Sequence, residues 1–155
     1  MKNKIELGQN FLKNDIVAEK LSSYVSDQND VNLLEIGGGA GALTRHFINL
    51  KYNQFRIVEL DKDLIGRLKR VIDCRRNVFI DNMNVLDYKL PNDEFAWNIV
   101  GNIPFNITFK IIERKIEWSL NINSIVFIVQ EEVAQKLYRV GGKGYGPISV
   151  LAQYF

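Results

Sequence analysis

The sequence predicts an α/β domain built on a mostly parallel sheet flanked by helices. Three observations point to it. Short apolar runs of strand length alternate with segments of helical spacing along the 155 residues, which implies right-handed crossovers and parallel strands. A glycine-rich turn, Gly37-Gly38-Gly39-Ala40-Gly41, follows the first apolar run. A second, polar turn, Asn102-Ile103-Pro104-Phe105, follows the fourth. Ligands of open α/β sheets bind outside the carboxyl ends of the strands, so both turns fall where chemistry is expected.

The elements can be justified in order. Ile16 to Val25 places Ile16, Val17, Leu21 and Val25 at helical spacing, with Asn14 or Asp15 available as N-cap. Val31 to Ile36 reads as a buried strand, and Ala42 to Leu50 as a helix. Phe55 to Leu60 is a second strand, Lys62 to Ile72 a charged helix and Val78 to Ile80 a short third strand. Phe95 to Val100 makes a fourth strand, Phe109 to Trp118 a helix, Ser124 to Val129 a fifth strand and Glu131 to Tyr138 a final helix. Gly141-Gly142-Lys143-Gly144 is expected to be a loop, and Ile148 to Phe155 one more strand. A chain that stops inside a strand leaves a sheet edge uncovered. The expectation is therefore a single domain over residues 1–155, truncated at its C-terminal end.

Composition narrows the class. Hydrophobic residues at 46% and charged residues at 25% are ordinary for a globular domain of this length. A net charge of +2 and a pI near 8.6 permit an anionic partner without demanding one. Cys74 is the only cysteine, which excludes an internal disulfide and a cysteine-rich zinc site and suggests a reducing compartment. No metal site is expected. Met1 to Glu6 is not followed by an apolar signal-peptide core, and no apolar run nears the roughly 20 residues that span a bilayer. The expected location is the cytoplasm, or an organelle if a presequence precedes this segment.

The glycine turn suits a nucleotide-like ligand. Glycines let the backbone take unusual angles and approach a ligand closely, and helix-start amides add a positive dipole end. Glu59 closes the second strand, where a carboxylate can accept the hydroxyls of a ribose. Gly37-x-Gly39-x-x-Ala42 also satisfies the dinucleotide fingerprint. Two features favour an adenosylmethionine site over a nicotinamide one. Glu35 sets a carboxylate just before the loop, suited to an ammonium group or to the loop backbone. The Asn102 to Phe105 segment suits a purine: a polar amide, a rigid proline and an aromatic ring make a poor core and a good clamp for a flat, hydrogen-bonding heterocycle.

With these residues in view, the chain resembles the ribosomal RNA adenine N6,N6-dimethyltransferases, the KsgA-type enzymes and their erythromycin-resistance relatives. The resemblance runs through Gly8-Gln9-Asn10-Phe11-Leu12, Glu35 to Thr44, Val58-Glu59-Leu60-Asp61 and Asn102 to Ile107. It continues through Gln130-Glu131-Glu132-Val133-Ala134 and Tyr145-Gly146-Pro147-Ile148-Ser149-Val150. Residues 130–137 and 145–153 favour the KsgA branch. The resemblance implies a Rossmann-like S-adenosylmethionine-dependent methyltransferase fold. It implies methyl transfer to adenine N6 of ribosomal RNA in a small-subunit precursor, by a monomer without membrane association. It also implies that Asn10 and Leu12 help enclose the donor, that Gly37, Gly39 and Gly41 hold its methionine and ribose parts, and that Glu59 binds the ribose. Asn102, Ile103, Pro104 and Phe105 would then hold the target adenine: the Asn102 oxygen and the Ile103 carbonyl accept from its amino group, Pro104 fixes the turn and Phe105 stacks on the ring.

The chain departs from the pattern in places. Gly38 stands where the KsgA branch usually has proline, which should loosen the loop. Asn84-Val85-Leu86 occupies the place of an Asp-Ala-Leu motif whose carboxylate accepts from the donor's adenine amino group. Asn84 could still accept there, without charge assistance. The family's later Phe-x-Pro-x-Pro motif and small helical C-terminal domain lie outside this sequence. Lys110, Arg114 and Lys115 are placed to meet phosphates, whereas Lys69, Arg70, Arg75 and Arg76 read as a solvated face. Plainer readings remain at this point: Phe105 as a core aromatic, Asn102 as a turn cap, Glu35 and Glu59 as solvated strand ends. A rival function is a non-catalytic nucleic-acid-binding factor on the same fold.

Overall fold

The computed structural model describes residues 15–25, 30–92, 94–118 and 121–141, with residues 115–118 described as backbone only. In chain order the elements are α1 (Asp15–Ser23), β1 (Val31–Ile36), α2 (Thr44–Phe47), β2 (Phe55–Val58), α3 (Lys62–Ile72), β3 (Val78–Asp81) and a 3₁₀ turn (Val85–Asp87). They continue with β4 (Ala96–Asn102), α4 (Phe105–Trp118), β5 (Ile122–Ile128) and α5 (Glu131–Tyr138). The strands form one sheet in the order β3-β2-β1-β4-β5. Every neighbouring pair is parallel.

β1 is buried along its whole length, as a central strand of a sheet covered on both faces must be. Its side chains alternate between two cores. Leu33 packs with Phe55, Ile57 and Val100 beneath Leu43, Phe47 and Leu68, which come from the α2 and α3 side. Leu34 and Ile36 face the opposite way, into Val58, Trp97, Ile99 and Ile111. α3 is fixed at both ends. The Asp61 side chain accepts from the Asp63 N–H at 2.9 Å, an N-cap that satisfies an orphan amide. Asp73 ends the helix in the left-handed conformation, φ 43°.

The sheet order reverses at β1, with β2 on one side and β4 on the other. Chains leaving the ends of β1 and β4 must cross to opposite faces, and a crevice opens between them. Both turns singled out above lie at that crevice.

Several element bounds shift from the sequence reading, and three of the shifts bear on the site. The helix expected over Ala42 to Leu50 is a single turn, Thr44–Phe47; Thr44 and Phe47 are buried there, so tertiary packing rather than helix propensity holds the segment. α4 begins at Phe105, four residues before the expected Phe109. The Pro104 carbonyl accepts from the N–H groups of Ile107 and Thr108, both at 3.2 Å, so the helix starts directly after the proline. β4 correspondingly runs through Asn102. The loop at 142–144 and the strand expected at Ile148 to Phe155 lie outside the described residues. No helix among the described residues is long and apolar enough to cross a membrane.

Candidate active site

One cleft over the carboxyl ends of the strands gathers most of the residues expected to act. Gly37 and Gly39 line it from the β1 turn, Glu59 from the end of β2, Asn84 from the segment after β3, and Asn102 and Pro104 from the end of β4.

Gly37 and Gly39 have φ of 75° and 58°, angles that side-chain-bearing residues rarely adopt. A Cβ added at Gly37 would meet nothing within 4 Å, so the loop leaves room on its cleft side. Glu59 fastens this loop. Its Oε2 accepts from the Gly39 N–H and its Oε1 from the Asp61 N–H, each at 2.7 Å. A carboxylate has about four acceptor positions, so ribose hydroxyls can still be taken after both amides are bound. Gly41 behaves differently. It is absent from the cleft wall, and a Cβ there would press on Val71 at 2.7 Å. Its glycine is needed for packing of the turn against α3.

Gly38 packs directly against the core. It is buried, and a Cβ at that position would collide with Ile57 Cγ2 and sit 3.1 Å from Leu68. Both neighbours belong to the core and have little freedom to move. Gly38→Ala is therefore expected to cost about 1–3 kcal/mol through overpacking, read as a lower urea midpoint with an unchanged slope.

Glu35 is fully buried in the middle of the sheet's end. Thr44 Oγ1 donates to its Oε2 at 2.8 Å, while its Oε1 has no partner among the described residues. Burial, with a smaller push from the nearby Glu59 charge, raises its carboxyl to about 7 against the bonds from Thr44. Of the sequence-based options for Glu35, an ammonium group, the loop backbone or a solvated strand end, the last does not match this burial. A buried acceptor lacking a partner at the head of a ligand cleft fits an ammonium-bearing ligand, because an orphaned buried acceptor costs free energy until it is paired. Thr44 escaped the sequence reading because its role exists only through this contact.

Asn84 stands before the 3₁₀ turn, and its Oδ1 accepts from the Leu86 N–H at 3.0 Å. Asn82 was also missed. Its Nδ2 donates to the carbonyls of Glu59 and Leu60 at 2.7 and 3.2 Å and so ties the end of β3 to the end of β2. Leu60, Met83 and Ile107 complete the wall as apolar surface.

The four-residue turn divides its labour. Asn102 and Pro104 face the cleft. The Ile103 side chain is buried in the core, and its N–H donates to the Ile128 carbonyl at 2.9 Å, which fixes the direction of the peptide that follows. Phe105 is 46% exposed and is not part of the cleft wall, its ring edge-on to Phe109 at 6.4 Å between centroids. It is not a core aromatic. Lys110 is exposed on α4. Arg114 donates to the Tyr88 carbonyl at 3.2 Å and is partly buried, anchoring α4 to the segment after the 3₁₀ turn. Asn10, Leu12 and the Lys115 side chain lie outside the described residues.

A parallel sheet with this strand order, a glycine turn on β1 and an acid closing β2 define a Rossmann-like fold of the adenosylmethionine-dependent methyltransferase class. Solved structures agree. A dimethyladenosine transferase from Plasmodium falciparum superposes with a TM-score of 0.78 at 22% identity, covering 92% of this chain and 51% of that one. The 23S rRNA methyltransferase ErmE gives 0.66 at 26% identity over 82% of this chain and 50% of that one. The sequence profile of the ribosomal RNA adenine dimethylases matches residues 1–155, and the chain belongs to that family. Among its relatives are the ribosomal RNA small subunit methyltransferases A of Coxiella burnetii, 32% identical over 96% of this chain, and of Alkaliphilus metalliredigens, 33% identical over 96%. The chain spans 58% and 54% of the length of those two relatives.

Proposed function

We propose that this chain is the catalytic part of an S-adenosylmethionine-dependent enzyme that dimethylates adenine N6 in small-subunit ribosomal RNA. The observation that supports this best is the meeting, in one cleft, of a donor-type wall (Gly37, Gly39, Glu59, Asn84) with Asn102 and Pro104. The names of its small-subunit relatives favour that substrate.

Bound adenosylmethionine would supply an electrophilic methyl group on a sulfonium. Its ammonium would meet Glu35, its ribose Glu59 and its base the Leu60–Asn84 wall. Adenine N6 is a weak nucleophile because its lone pair is delocalised into the ring. Positioning and polarisation are therefore what the protein must provide. The Asn102 side-chain oxygen and the Ile103 carbonyl accept from the amino group and draw its nitrogen toward a tetrahedral shape. Phe105, exposed next to Pro104 in the chain, stacks on the base. A base stacked in a duplex cannot reach this cleft, so the target enters unstacked or from a loop.

Of the basic residues on α4, Lys110 is assigned to the RNA backbone and Arg114 to anchoring the helix. Lys110→Ala is expected to weaken RNA binding and lower the slope of log affinity against log salt by about 0.7–0.9, measured by filter binding from low to physiological salt. An unchanged slope removes Lys110 from the interface. The functional test is methyl transfer from labelled adenosylmethionine to undermethylated small-subunit particles. Incorporation as dimethyladenine supports the proposal. Binding of the particles without incorporation leaves a non-catalytic RNA-binding factor instead.

A further inference from the structure

We propose that Thr44 is a positioning residue for the methyl donor, its hydroxyl holding the Glu35 carboxylate so that Oε1 meets the donor's ammonium group. This rests on the adenosyl-donor reading of the cleft.

Three carboxylates line the cleft among the described residues: Glu35, Glu59 and Asp61. Glu59 accepts a backbone N–H on each oxygen, and Asp61 caps α3 by accepting from the Asp63 N–H. Glu35 is the fully buried one. Its Oε1 has no partner among the described residues, and an unmet acceptor is most costly where water cannot reach it. A cationic ligand group gains most there.

Thr44 governs how that oxygen is presented. It is itself fully buried at the start of α2, and its carbonyl accepts from the Ile48 N–H at 2.9 Å, which fixes the residue in the turn. Thr108, the other buried threonine, gives its hydroxyl to the carbonyl of Pro104, four residues back. Thr44 instead donates across to Glu35 Oε2 at 2.8 Å. A carboxylate is planar, so pinning one oxygen restricts where the other can lie. The bonds from Thr44 also favour the charged form of Glu35 against the opposing effect of burial, and the charged form is the one that attracts an ammonium. Thr44 does not line the cleft. Any influence it has on the donor therefore passes through Glu35.

The test is calorimetric titration of the wild-type chain, Thr44→Val and Thr44→Ser with S-adenosylhomocysteine and with its deaminated analogue, in which hydrogen replaces the amino group. The wild-type chain is expected to prefer the amino form by about tenfold or more. Thr44→Val, which keeps the shape and loses the hydroxyl, is expected to bind the amino form about tenfold more weakly and the deaminated form within about threefold of wild type. Thr44→Ser restores the hydroxyl and is expected to bind both as the wild-type chain does. If Thr44→Val shows no cooperative urea transition, Thr44→Cys replaces it. Its thiol is a weak donor of nearly the serine shape, and the same selective loss relative to Thr44→Ser is expected. Equal weakening of both ligands by the hydroxyl-free variant, or the same selective loss in Thr44→Ser, overturns the proposal. A wild-type chain indifferent to the amino group overturns it too and leaves the donor reading intact. Absence of binding by either ligand to the wild-type chain overturns the donor reading and the proposal with it.

Discussion

Asn102→Ala is expected to reduce methyl transfer about 100- to 1,000-fold while changing donor affinity far less. The basis is position. Asn102 ends β4 at the reversal of the sheet order and faces the same cleft as Gly37, Gly39 and Glu59. An acceptor held there by the strand polarises the adenine amino group without reorganising during the reaction, and loss of one preorganised polar contact of this kind costs about 2.7–4 kcal/mol in the transition state. Single-turnover rates on undermethylated particles, beside donor titrations of the same variant, separate the two effects. A variant that methylates at the wild-type rate removes Asn102 from the chemistry.

Glu35→Gln is expected to stabilise the fold at neutral and alkaline pH while weakening donor binding. The Glu35 carboxyl is buried with no compensating cation among the described residues, and burial raises it from an ordinary 4.5 to about 7. The native chain therefore holds this proton more tightly than the unfolded chain does. Stability is undiminished below about pH 4.5, falls as pH rises toward 7, and carries the full penalty above that. A rise of this size corresponds to about 3 kcal/mol. Gln has the same shape, can still accept from Thr44, and removes the charge. Urea unfolding at pH 5 and pH 8 should show a gain of about 3 kcal/mol at the higher pH and a small one at the lower. The same variant loses the anion that would meet the donor's ammonium, so gain of stability and loss of affinity appear together, as they do where a site retains strain for function. A Glu35→Gln chain less stable than wild type at pH 8 contradicts this account of the carboxyl.

Much of this architecture is legible in the chain because the strongest signals are local. β1, α3 and α5 fall at the expected bounds, Val31–Ile36, Lys62–Ile72 and Glu131–Tyr138, each being either a continuous apolar run or an amphipathic stretch with clear ends. The misreadings share a cause. Asn106, Ile107 and Thr108 have loop-like or weak helical preferences, yet Pro104 starts α4 directly and buried Thr108 holds its first turn by donating to the Pro104 carbonyl at 2.9 Å. The α2 segment looked like a longer helix because its apolar spacing is real, but those side chains serve the core more than the helix. A three-residue 3₁₀ turn is too short to show any period.

The site divides in the same way. Gly37, Gly39, Glu59, Asn102 and Pro104 are visible in sequence because turns at strand ends have recognisable residue types, Asn84 is visible only through the family resemblance, and the structure brings all six to one cleft. Gly41 is as glycine-rich in context as its neighbours, yet it packs on Val71. The bond from Thr44 to Glu35 spans nine residues and that from Asn82 to the Glu59 carbonyl 23. Neither is encoded in a local pattern, since each depends on how two segments come together in the fold.

The most direct test of the central claim is calorimetric titration of the wild-type chain with S-adenosylhomocysteine and, separately, with NAD. A donor cleft built on Gly37, Gly39, Glu35 and Glu59 predicts micromolar binding of the homocysteine nucleoside and none of the dinucleotide. Saturable binding of NAD with no heat from S-adenosylhomocysteine would contradict it.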